Sequence, residues 1–244
     1  MSRVYAVGIG PGEAQQMTGE ARAVLERCQV IIGYTVYVDL IKELFPGKVF
    51  MTTPMKQEVK RCKMALAEAK KGQEVAMVCS GDAGVYGMAG LLFETGRECP
   101  EVVIEVVPGI TAALGGAAVL GAPLMHDFAV ISLSDLLTSW EKIERRLKAA
   151  AMADFCICLY NPSSRKRHDY LKRACDCMLA YKKPETVCGL VRNISRIGET
   201  SRILTLAELK DMPVDMFTTV FIGNEETRDI GGRMVTPRGY QCEG

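Results

Sequence analysis

Glu74-Val75-Ala76-Met77-Val78-Cys79-Ser80-Gly81-Asp82-Ala83-Gly84-Val85-Tyr86-Gly87 decides the fold class of this chain. Val75 to Cys79 are continuously apolar, which predicts a strand over Glu74 to Cys79 buried on both faces. Glycines then crowd around one acid, and Val85 to Arg97 reads as a helix. Strand, glycine turn and helix in that order make a βα unit of a parallel sheet.

The unit recurs on both sides. Val4 to Ile9 reads as a strand running into Gly8-Ile9-Gly10-Pro11-Gly12. Val102 to Val107 reads as a strand before Pro108-Gly109 and a small-residue helix from Ile110 to Leu120. Between these units lie a helix (Met17 to Cys28), a strand (Val30 to Ile32), a helix (Val36 to Phe45) stopped by Pro46-Gly47, a short strand (Lys48 to Met51) and a basic helix (Val59 to Lys71) ended by Gly72. Three glycine turns would then leave the carboxyl ends of strands in one sheet, the edge where open α/β sheets bind ligands.

The pattern changes at Gly121-Ala122-Pro123. Strands are expected at Phe128 to Leu133, Phe155 to Tyr160, Thr186 to Val191 and Thr218 to Ile222, with helices at Trp140 to Ala151 and Arg167 to Tyr181. Ser201 to Leu204 looks like a hairpin partner, which makes this sheet mixed. The expectation is two α/β domains, residues 1–123 with a parallel-rich sheet and 124–244 with a mixed one.

Composition narrows the partners. The 244 residues are 48% hydrophobic and 24% charged, as in ordinary soluble proteins, and carry a net charge of +1. No global field draws the chain to nucleic acid or a membrane, so an anionic ligand must be held by local cations. Met1-Ser2-Arg3 leads into an apolar run too short for a signal peptide, and no run approaches the roughly 20 residues that span a bilayer. A cytoplasmic location is expected. The ten cysteines form no Cys-x-x-Cys pair, which predicts reduced, mostly buried thiols and no metal site.

The first glycine turn is not a dinucleotide fingerprint. Glu13 stands where the third glycine belongs, Pro11 lacks a donor, and Val30-Ile31-Ile32-Gly33-Tyr34 ends without an acid for a ribose. No Gly-Lys-Ser/Thr loop is present. In the second turn Asp82 has two readings: an anchor for a cationic or hydroxyl-bearing ligand, or the N-cap of the following helix.

Together the turns resemble those of the tetrapyrrole methylases, the class III methyltransferases that use S-adenosylmethionine (SAM). The resemblance rests on Val7-Gly8-Ile9-Gly10-Pro11-Gly12, on Ser80-Gly81-Asp82-Ala83-Gly84-Val85-Tyr86-Gly87-Met88-Ala89 and on Pro108-Gly109-Ile110-Thr111-Ala112. Leu120 to Phe128, Ile131 to Thr138, Tyr160-Asn161-Pro162 and Thr236 to Tyr240 narrow it to the branch acting on precorrin-3B or cobalt-precorrin-3. Ser139 departs from that branch, where proline is expected. The resemblance implies SAM in a cleft between two α/β domains, a homodimer, and methylation of a corrin precursor at C17 with ring contraction, with or without cobalt in the macrocycle. It implies that Ile9, Gly10, Pro11, Gly81, Asp82, Val85, Thr111 and Ala112 line the SAM pocket from the first domain, with Tyr160, Asn161, Asn193 and Thr218 approaching from the second.

A sulfonium methyl is already electrophilic, so such an enzyme chiefly aligns its reactants and excludes water. That suits a chain whose only histidines are His126 and His168. Ring contraction also needs a proton to be placed. Ser132 and Ser134 are candidate substrate contacts, and His126 and Asp135 candidate acid–base groups. The competing reading of His126, Asp127 and the serines is local turn capping. Arg192 leads the candidates for substrate carboxylates, with Arg196, Arg165 and Arg238; ordinary surface charge is the alternative. Lys56, Lys60, Arg61 and Lys63 read as the wet face of a helix. Two other functions fit: methylation at a different ring carbon, and a SAM-binding protein without turnover.

Overall fold

Each apolar run of the first half folds as a strand, and a helix follows nearly every one. In the computed structural model, which describes residues 2–164 and 167–240, the order is β1 (Ser2–Gly8), α1 (Gly19–Arg27), β2 (Val30–Tyr34), α2 (Thr35–Asp39), β3 (Val49–Thr53), α3 (Glu58–Lys70), β4 (Glu74–Cys79), α4 (Ala89–Gly96) and β5 (Val102–Val107). All the strand pairings are parallel, in the spatial order β3-β2-β4-β1-β5. β1 therefore lies between β4 and β5. Its register sets Gly8 beside Cys79 and Val7 beside Val107, so the three glycine turns leave one edge side by side.

Alternation along the strands builds three layers. Val4, Ala6, Ile32, Val75 and Met77 face one core with Cys62, Ala65, Leu66 and Leu92 of α3 and α4. Tyr5, Val7, Ile31, Ala76 and Val78 face the other with Ala21, Val24 and Leu25 of α1. Thr18 caps α1, its hydroxyl accepting from the Ala21 N–H at 3.1 Å.

Two expectations change here. The helix expected from Val85 begins at Ala89, because residues 80–88 wind into a turn with Tyr86 at φ 53°. Arg61 is not on a wet face. It is 4% exposed and donates from Nε to the Thr53 hydroxyl (2.9 Å) and from Nη2 to the Pro54 carbonyl (3.3 Å), while Lys60 and Lys63 stay exposed.

The second half runs α5 (Ala112–Leu120), β6 (Gly121–Ala122), β7 (Phe128–Ser132), α6 (Trp140–Met152), β8 (Cys156–Tyr160), α7 (Tyr170–Met178), β9 (Val187–Arg192), β10 (Thr200–Thr205), α8 (Leu206–Leu209), β11 (Thr218–Ile222), β12 (Arg228–Asp229) and β13 (Met234–Val235). The main sheet has the order β10-β9-β11-β8-β7. β7 and β8 are parallel and the other pairs antiparallel, so the sheet is mixed. Ile143, Leu147 and Ala151 of α6 and Leu171, Ala174, Cys175 and Met178 of α7 repeat at helical spacing and cover one face. β6, β13 and β12 form a separate three-stranded sheet whose two-residue strands are too short to leave a periodic signal.

The chain divides into compact units between Ala112 and Ala113, so α5 belongs with the second unit, whereas the sequence pattern places the break after Pro123. Contact explains the difference: a Cβ on Gly116 would lie 2.8 Å from Phe221 Cζ and 3.1 Å from Ile194 Cδ1. The nine described cysteines are all free thiols, seven of them buried. Burial pushes the Cys28 and Cys175 thiols up to about 12, which keeps them protonated and inert.

Replacing Gly116 with leucine forces a side chain into the Phe221 ring. The expected loss is about 1–3 kcal/mol of stability, read as a lower thermal unfolding midpoint; an unchanged midpoint would show that α5 does not seat there.

Candidate functional site

The three turns of the first unit touch through their backbones. A Cβ on Gly8 would stand 2.7 Å from both the Gly109 nitrogen and the Gly81 oxygen, and one on Gly109 only 2.2 Å from the Gly81 oxygen. Gly10 and Gly81 exchange backbone hydrogen bonds of 3.1 and 2.7 Å. Gly10 and Gly81 also have φ of 79° and 70°, where a side chain is strained. Glycine is demanded here by contact and by conformation together.

Asp82 closes the arrangement. Its Oδ1 accepts from the N–H groups of Gly84 (2.7 Å) and Val85 (3.0 Å), and its Oδ2 from the N–H of Gly109 (2.9 Å). It does not cap α4, whose N-cap is Met88 without a side-chain bond. Its carboxylate knots the second turn and ties it to the third, and its remaining lone pairs can still accept from a ligand. Three N–H donors that might have cradled a phosphate already face this anion. The cradle therefore suits a ligand with hydroxyl or cationic groups and no phosphate.

Ile9 is 1% exposed and belongs to the core, and its N–H donates to the Cys79 carbonyl at 2.9 Å. Pro11 is buried, whereas Val85, Thr111 and Ala112 are half-buried on the turns themselves.

The second unit gathers most of its candidates on one sheet edge. Ser132 pairs with Tyr160, Val220 with Leu159 and Thr218 with Arg192, so the carboxyl ends of β7, β8 and β9 meet the start of β11. The Tyr160 hydroxyl accepts from the Ala113 N–H at 2.6 Å. Asn161, at φ 53°, donates to the Ser132 hydroxyl at 3.0 Å, and Ser132 also accepts from the Ser134 N–H. Asn193, at φ 54°, donates weakly to the Gly198 carbonyl in the β9–β10 loop.

Arg192 donates from Nε to Asp215 at 2.7 Å, and the Thr218 hydroxyl donates to the other oxygen at 2.9 Å. Burial pushes the Asp215 carboxyl up, but Arg192 and Thr218 outweigh it and hold it below the usual range. Arg238 donates to the Met125 carbonyl, Arg196 sits in the β9–β10 loop, and Arg165 lies outside the described residues.

The two acid–base candidates are separated. His126 lies in the turn before β7, and Asp135 follows that strand's far end. The five residues of β7 span roughly 17 Å. Asp135 stays with the site edge; His126 sits at the opposite edge, where the Asp127 backbone carbonyl accepts from the Cys156 N–H. Asp135 accepts from the Tyr170 hydroxyl at 2.6 Å and from Arg167 at 3.3 Å. The Tyr170 bond, then the Arg167 charge, hold its carboxyl below the usual range. It is therefore ionised near neutrality and a poor proton donor. Arg167 and Tyr170 are the partners that sequence reasoning misses, because thirty-odd residues separate them from Ser134 and Asp135.

Residues 3–210 match the model of the Tetrapyrrole (Corrin/Porphyrin) Methylases, and the chain belongs to that family of methyltransferases, whose methyl donor is SAM. It is 45% identical over 235 residues to the "Probable cobalt-factor III C(17)-methyltransferase" of Salmonella typhimurium, covering 96% of this chain and 98% of that one. It is 42% identical over 244 residues to the "Cobalt-factor III methyltransferase" of Priestia megaterium, covering 98% of this chain but only 45% of that longer protein. The crystal structure of the methyltransferase CobJ superposes with a TM-score of 0.89 at 35% identity, covering 97% of this chain and all of that one. No described helix is long and apolar enough to cross a membrane.

Asp82→Asn puts an amide donor against the Gly109 N–H in one orientation and against the Gly84 and Val85 N–H groups in the other. The expected cost is about 1–3 kcal/mol in urea unfolding; wild-type stability would sink the turn-closing role. A depressed carboxyl stabilises the fold above the ordinary carboxylate range, and this contribution fades as pH falls through the depressed value. The stability gap between wild type and Asp135→Asn should thus be widest near pH 7 and close on acidification, followed by urea melts across that range.

Proposed function

We propose that this chain transfers the methyl group of SAM to C17 of a corrin precursor at the cobalt-factor III or precorrin-3B level and contracts the ring, as a step of cobalamin biosynthesis. The observation that carries this reading is the 45% identity to the Salmonella typhimurium protein across nearly the full length of both chains, since that protein's name specifies cobalt-factor III and C17.

SAM, when bound, supplies an electrophilic methyl on a sulfonium. The chain's own part is to hold and align. The first-unit cradle of Ile9, Gly10, Pro11, Gly81, Asp82, Val85, Thr111 and Ala112 fits the donor chemically. Asp82 has already claimed the N–H groups a phosphate would need, and SAM carries no phosphate. Glycine turns let backbone groups approach the ligand closely. A ligand-facing role for Tyr160, Asn161, Asn193 and Thr218, and substrate contact by Ser132, Ser134 and Arg192, belong to the same proposal. Their support is the shared edge of the second sheet. Asp135, held ionised, serves this edge as a fixed anion. We further propose that the enzyme works in the cytoplasm as a homodimer; the exposed Leu137 and Ile197 supply apolar surface for assembly.

Incubation with SAM and either cobalt-factor III or precorrin-3B, followed by mass spectrometry, should show the gain of one methyl group. Labelled donor should place the label on C17 by carbon NMR. No mass gain with either macrocycle overturns the reading, label elsewhere indicates another ring position, and SAM binding without transfer indicates a sensor. His126→Ala should keep turnover within about twofold of wild type, since the residue lies off the site edge.

A further inference from the structure

Arg167 is a cation gripped on several sides. Its Nη1 donates to the Ser134 hydroxyl at 2.6 Å and to Asp135 Oδ1 at 3.3 Å, and its Nε donates to the Ser164 hydroxyl at 3.0 Å. Its side chain is only 16% exposed. Asp135 is itself anchored. Its second oxygen takes the Tyr170 hydroxyl, and the Tyr170 ring packs on Trp140 with centroids 4.6 Å apart. Arg173 lies over both rings, 4.1 Å from the Trp140 centroid and 5.0 Å from that of Tyr170. A guanidinium with this much support has lost most of its rotamer freedom before any ligand arrives.

The bonds to protein use Nε and Nη1. Nη2 carries two further N–H donors, and among the described residues neither has a partner. The loop that grips Arg167 also begins the ligand edge, because the Ser132 hydroxyl accepts from the Ser134 N–H and from Asn161. Surface charge is a poor description of such a side chain, since exposed arginines are seldom fixed by a carboxylate and two hydroxyls at once. A donor pair that is fixed, cationic and shielded from water suits a carboxylate.

We propose that Arg167 anchors a peripheral carboxylate of the tetrapyrrole substrate through Nη2, and that Asp135 and Tyr170 position it for that contact. This deepens the functional reading above and rests on it. Asp135 orients the guanidinium; Tyr170 keeps Asp135 from turning away.

The test is spectral titration of the macrocycle without SAM, using the free-acid corrin precursor and its methyl-ester form on wild type, Arg167→Met, Arg167→Lys and Tyr170→Phe. Wild type should bind the acid more tightly than the ester. Arg167→Met should bind the acid roughly tenfold more weakly and the ester unchanged. Arg167→Lys should recover part of the loss. In steady-state assays with SAM added, Tyr170→Phe should raise KM for the macrocycle with little change in kcat, while SAM affinity stays at the wild-type value in every variant. A merely structural role predicts equal losses for acid and ester, and that outcome overturns the proposal, as does wild-type affinity for the acid in Arg167→Met. If wild type binds neither macrocycle, the tetrapyrrole reading falls and this proposal with it. If wild type binds and methylates the macrocycle but Arg167→Met shows no acid-specific loss, only the anchor is wrong.

Discussion

The backbone contact among Gly8, Gly81 and Gly109 is the constraint on which the first unit depends. It arises from topology. β1 runs between β4 and β5, all three are parallel, and their carboxyl ends stop at one level. Three chain exits must then share one small space. A single Cβ at Gly8 or Gly109 would fall well inside van der Waals contact with a neighbouring backbone atom, so the sheet order itself selects glycine. Asp82 then turns a steric packing into a bonded one, using both oxygens across two turns. N–H groups that point at this carboxylate are not open to an anion from outside.

In the second unit the edge is assembled by strand direction. Antiparallel pairing brings the first residue of β11, Thr218, beside the last residue of β9, Arg192, while parallel pairing holds Ser132 beside Tyr160. Polar residues from four strands or their adjoining loops thus meet without being near in sequence. Their side chains are largely bonded to one another: Asn161 to Ser132, Thr218 and Arg192 to Asp215, and Asp135 to Tyr170 and Arg167. Such cross-bonding fixes side-chain orientation before a ligand arrives.

The fold was legible because it is written in short-range signals. Continuous apolar runs marked every strand of the parallel sheet, and glycine and proline marked the exits. Helix starts were less legible where a turn had its own bonding. The Asp82 knot carries the chain to Ala89 before a helix begins, and nothing in the spacing of Val85 to Arg97 reveals it. Arg61 shows a second limit. A cation in a basic helix reads as wet, but its guanidinium turns inward to the Thr53 hydroxyl and the Pro54 carbonyl, acceptors that exist only once β3 and α3 are packed. The site was legible as residue types and illegible as partnerships. Asp135 stood out in the sequence, whereas the tyrosine that holds it ionised lies on α7, far along the chain from the loop that carries Asp135.

Charge decides what kind of recognition is open to this chain. At a net charge of +1 it cannot concentrate a polyanion by long-range attraction. Its site-edge arginines are moreover paired, Arg192 with Asp215 and Arg167 with Asp135. A paired cation attracts a carboxylate less strongly at a distance, but it offers donors in a fixed direction and suffers little further loss of freedom on binding. Such pairs favour a rigid ring whose carboxylates sit at set positions over a flexible polyanion that can bring its charges anywhere. Selectivity by geometry in place of field is what an enzyme needs when successive intermediates of one pathway share nearly the same charge and differ in where their groups are placed.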